Sequence, residues 1–78
     1  MKQANSGSLE RRLTDDERVR IATTMETLVV AAHRGEITRQ AMLVGMGCTL
    51  ETASLLTGLP VAEIEKLVIP LTKERLAS

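Results

Sequence analysis

His33 and Cys48 are the only imidazole and the only thiol in 78 residues. One of each cannot supply a Cys/His zinc set or a disulfide framework. His33 falls in the last turn of a predicted helix, where an imidazole interacts with the negative end of the dipole more readily than it serves as a general base. Cys48 lies among small apolar residues and reads as a buried, inert thiol. Asp15, Asp16 and Glu17 are the one carboxylate cluster that could hold a metal or share a proton. They directly follow Thr14, however, and a capped helix N-terminus accounts for all of them. No glycine-rich phosphate loop follows a strand, because no strand is predicted. The chain is expected to be neither an enzyme nor a cofactor or metal carrier.

Composition turns the question from chemistry to recognition. Ten Lys and Arg balance ten Asp and Glu, so no strong pull toward nucleic acid or membrane is implied. Hydrophobic residues make up 44% of the chain and none is aromatic. That excludes stacking of single-stranded bases on rings. A small aliphatic core leaves little surplus over the conformational entropy of ordering the chain, and self-association is the remaining source of stability.

The elements that position these residues are helices. Residues 1–13 read as a polar, unstructured arm and 14–78 as a single helical domain. Thr14-Asp15-Asp16-Glu17 predicts a capping box, and the helix it opens runs to about Arg34, with Gly35 as its stop. Along it Ile21, Met25, Leu28, Val29 and Ala32 form one apolar stripe. A second helix starts at Thr38. Gly45-Met46-Gly47 weakens its interior, so the segment is either one helix, kinked or straight, to Thr57, or two with Thr49 as a fresh cap. The single helix is preferred. Gly58 closes it and Pro60 suits the first turn of the next, whose stripe is Val61, Ile64, Leu67, Val68 and Leu71. Pro70 is expected to stop or kink that helix near Val68. The fold class is therefore all-α, a small bundle of three or four helices with a helix-turn-helix-like C-terminal half.

The arm has no apolar core of a signal peptide, and the longest apolar run, Ala41 to Cys48, is far short of a membrane span. A cytoplasmic protein with no membrane contact is expected, in which Cys48 stays reduced. The apolar stripes supply the candidate dimer or partner interface: Ile21, Met25, Leu28, Val29, Ala32, Met42, Met46 and Leu50, with Leu28 and Met46 at its centre. The implied partners are a second copy and a regulatory protein. The other reading is a DNA-binding transcriptional regulator. For it, Thr52 to Leu67 has helix-turn-helix spacing, with Gly58 in the turn and Leu59, Ile64 and Leu67 as core contacts. Its outward positions, Ala62, Glu63, Glu65 and Lys66, are net acidic and lack the Arg that reads guanine. Positive charge gathers instead at Lys2, Arg11, Arg12, Arg18 and Arg20, which supports weak, non-specific and salt-sensitive nucleic-acid contact at most.

One resemblance follows from this order of elements. An acid-capped amphipathic helix, a Gly-Glu-Ile-Thr link, an apolar helix carrying Thr49-Leu50-Glu51-Thr52-Ala53-Ser54-Leu55-Leu56, and a closing helix together resemble the small bacterial biofilm-development and acid-resistance regulators of the YmgB/AriR type. The likeness covers roughly Asp15 to Leu71. The Gly58-Leu59-Pro60 turn departs from that family's pattern. The resemblance implies an all-helical homodimer acting in stress or biofilm regulation, as a connector to a phosphorelay sensor or as a modulator with non-specific DNA affinity. It transfers no individual site residue.

Overall fold

A computed structural model describes residues 12–78 as three helices: α1 (Asp15–His33), α2 (Arg39–Thr57) and α3 (Val61–Ala77). Most of the predicted arm, residues 1–11, lies outside the described residues.

Local chemistry sets each boundary. The Thr14 side chain accepts from the Glu17 amide at 3.1 Å, while the Glu17 carboxylate accepts from the Thr14 amide at 2.9 Å. Two otherwise unpaired donors are thereby satisfied. Thr14→Ala is expected to cost about 1 kcal/mol, which lowers the melting temperature by about 4–8 °C in a domain of this size; a far-UV circular dichroism melt measures it. At the other end of α1, Gly35 takes φ 77°. Its amide reaches Ala32 O and the Glu36 amide reaches Ala31 O, a Schellman closure that requires the left-handed conformation glycine adopts freely. Thr38 caps α2 by accepting from the Ala41 amide at 3.0 Å.

The second helix runs unbroken through Gly45, Met46 and Gly47. Gly45 faces α1: a Cβ there would lie 3.1 Å from both Leu28 Cδ atoms. The missing side chain lets α1 and α2 approach closely, which compensates for the glycine's poor helix propensity. Gly58 ends α2 at φ 78°. Around it the Ser54 hydroxyl donates to Leu59 O at 2.6 Å, and the Leu59 amide donates to Thr57 Oγ1 at 3.2 Å. These bonds fix an elbow in which the chain bends by 120° between α2 and α3.

Two expectations are corrected. Pro70 does not end α3, which continues to Ala77. It sits on the exposed face, where the carbonyl deprived of its amide partner meets water instead of the core. Leu13, assigned by sequence to the arm, is buried in the core.

The core is wholly aliphatic: Leu13, Ala22, Met25, Leu50, Ala53, Ile64 and Val68, with Ile21, Met46, Leu59, Val61, Leu67 and Leu71 packed against it. α1 packs against both other helices, as the breadth of its apolar arc requires. Across α1 and α3, the Arg75 guanidinium donates through Nε to Glu26 Oε1 at 2.8 Å. Both side chains are about a third exposed, so this bridge orients α3 on α1 more than it stabilises the pair.

Candidate interaction surface

The predicted interface residues are brought together, but mostly against their own chain. Met25 and Leu50 are core residues and are withdrawn as surface contacts. Ile21 and Met46 pack against that core. Leu28, Val29, Ala32 and Met42 are half-buried, with Leu28 lying over Gly45. The stripe is real; it packs against both other helices of its own chain.

What remains uncovered is a set of α2 positions outside its packed face. Leu55 is 86% exposed, Leu56 80%, Val44 60% and Leu43 52%. Ala41, Cys48 and Thr52 are exposed as well. Exposure of Cys48 corrects the expectation of a buried thiol. Residues 41, 44, 48, 52 and 55 are spaced three or four apart and so lie in one line along the helix. Glu51 flanks that line. Cys48 and Thr52 of that line also wall a groove of about 460 Å³ between α1 and α2, which Glu17, Arg20, Ile21 and Thr24 line from α1.

Threonines make these surfaces oilier than the composition suggests. The hydroxyls of Thr23, Thr24 and Thr27 on α1, and of Thr49 and Thr57 on α2, each donate to the backbone carbonyl four residues earlier. A hydroxyl committed to its own helix leaves the methyl group to meet whatever packs there.

The charges in the first turns of α1 are paired locally. Asp15 pairs with Arg18 at 3.5 Å and Asp16 with Arg20 at 2.7 Å. The hydrogen bond and charge of Asp16 hold the Arg20 guanidinium above its ordinary pKa. These are contacts of a helix first turn, and among the described residues no three potential ligands gather to hold a metal ion. Of the proposed nucleic-acid contacts, Lys2 and Arg11 lie outside the described residues. Arg12 is exposed, and Arg18 is the partner of Asp15. His33 lies exposed at the C-terminal end of α1.

No family model, curated protein or solved structure matches the chain. The surface must therefore be read from its own chemistry. No single helix among the described residues is long and apolar enough to cross a membrane. Sequence periodicity missed the open face because α2 is apolar around most of its circumference. The signal available was the adjacent pair Leu55-Leu56, two successive leucines that point 100° apart.

Proposed function

We propose that this chain is a non-enzymatic regulatory protein that acts through protein–protein contacts as a homodimer. The observation that carries the reading is the exposure of Leu55, on a line continued by Val44, and of Leu56, which lines the groove beside it. Fully burying each such side chain is worth about 1.5–3 kcal/mol, and contiguous apolar faces on small proteins mark binding sites. Bacterial stress or biofilm signalling is the setting that the YmgB/AriR resemblance implies, with a regulatory protein as the further partner.

Sedimentation equilibrium at micromolar concentration tests it. The wild type is expected at twice the 8.5 kDa chain mass, while Leu55→Glu sediments as a monomer of undiminished helix content. A carboxylate buried without a partner should weaken association by about a hundredfold or more. A folded wild type that stays strictly monomeric removes the homodimer.

A DNA-binding regulator is the second reading, favoured by the 120° elbow at Gly58, an angle that helix-turn-helix units use. Against it stand Glu63 and Glu65 on the exposed side of α3, with Lys66 held 3.8 Å from Glu63. Phosphates are repelled by such a face. A mobility-shift titration at low and moderate salt separates the two. No shift at low salt eliminates DNA binding, and a shift confined to one sequence places it first.

A further inference from the structure

We propose that the segment leading into α1 docks on the groove between α1 and α2, with Leu9 seated against Ile21 and Leu56 and with Arg11 at the C-terminal end of α2. This seat does not depend on the homodimer, since it leaves Ala41, Val44 and Leu55 open. The first argument is where the chain enters. Glu17 lines the groove, and its Oε1 accepts from the Thr14 amide at 2.9 Å. The backbone thus arrives at α1 within hydrogen-bond distance of a groove residue. Leu13 is buried in the core cluster that includes Ala53 and against which Ile21 packs, and Ala53 and Ile21 also line the groove. Leu9 precedes Thr14 by five residues, a reach of up to about 17 Å in extended backbone. Ile21 lies only about 6 Å along the helix from Glu17. The groove is within reach.

The second argument is alternation. Thr14 is extended, at φ −72° and ψ 162°, and Arg12 and Leu13 precede it outside the helix. Alternate side chains of extended backbone share a side. Leu13 points into the core and Arg12 is exposed. Carried backward, the same alternation turns Arg11 and Leu9 toward the protein and Glu10 toward water. Leu9 is the only branched aliphatic residue among residues 1–11, and Leu56 is the largely exposed apolar side chain that it would cover.

Charge supplies the third. Leu56 and Thr57 bring the C-terminal end of α2 to the groove, and α2 has no basic residue in its last turn. On the α1 side Arg20 is neutralised by Asp16 at 2.7 Å, which leaves the Glu17 carboxylate as the net charge of the lining. Arg11 brings a cation to this electronegative end, where the helix dipole favours one. An occupant tethered at Thr14 is also spared most of the translational freedom that a separate molecule loses on docking.

Amide chemical shifts of the isotope-labelled full chain test the seat. Leu9→Asp is expected to move the amides of Ile21, Ala53 and Leu56, all remote from position 9 in sequence, while those of Ala41 and Val44 on the open line stay in place. Arg11→Glu should move the amides of Leu56 and Thr57. Far-ultraviolet circular dichroism checks that both variants keep the wild-type helix content. Changes confined to residues 12–15 overturn the proposal, as do changes that fall on α3 instead of the groove. Groove shifts that fade on dilution assign the segment to the groove of a second copy and overturn the intramolecular seat. Sedimentation keeps the two readings apart. A strictly monomeric wild type removes the homodimer, whereas groove shifts in that monomer still support the seat.

Discussion

Ile64→Ala is expected to cost about 3 kcal/mol, within the 2–5 kcal/mol that such truncations span. Ile64 has no exposed surface and shares its cluster with residues of all three helices, among them Met25 of α1 and Leu50 of α2. With three separate helices converging on it, the site has little room to collapse around a void. Stability of roughly 0.05–0.15 kcal/mol per residue gives a chain of this length only about 4–12 kcal/mol in total. A large fraction therefore disappears, and a variant of a marginal wild type would be substantially unfolded at 37 °C. Urea unfolding followed at 222 nm measures the loss. Concentrations must be matched, because association adds to apparent stability. An unchanged midpoint would mean that the three helices do not meet at Ile64.

Gly45→Val should be the next most damaging change, at about 2 kcal/mol. A single Cβ already falls 3.1 Å from Leu28 Cδ1 and Cδ2, and a branched side chain adds two methyl groups to that contact. Overpacking of this kind costs about 1–3 kcal/mol. Gly45→Ala is a different case. Alanine gains about 1 kcal/mol in helix propensity, and half-buried Leu28 can yield by a few tenths of an ångström, so the two effects nearly cancel. Combining Gly45→Val with Leu28→Ala should recover part of the loss, giving a favourable coupling that a double-mutant cycle reads directly. Purely additive effects would show that Leu28 does not sit over Gly45.

Element ends were legible in the sequence because they are local. Thr14 with Glu17, Gly35, Thr38, Gly58 and Pro60 each act within four residues of the boundary they set, and all five lie where the helices begin or end. The destination of an apolar stripe is not local. Ile21, Met25 and Leu28 have the same spacing whether they face α2 of their own chain or that of another, so periodicity assigned to an interface what the bundle uses as its core. The continuation of α3 past Pro70 was missed for a related reason: on a water-facing side the carbonyl left without its amide partner can be solvated, and sequence does not show which side faces water. Cys48 was judged by its apolar neighbours along the chain, yet in a helix neighbours in sequence point in different directions.

A core built without a single ring has a spectroscopic consequence. Aromatic currents are what spread methyl resonances in proton NMR, and chiral ring environments are what generate near-ultraviolet dichroism. Both signals will be almost absent here even when packing is tight. By the usual optical marker, retained far-ultraviolet signal without a near-ultraviolet counterpart, the native protein would be mistaken for a molten globule. Hydrogen exchange of the amides around Met25, Ile64 and Val68 is the measurement that distinguishes order from fluidity in such an interior.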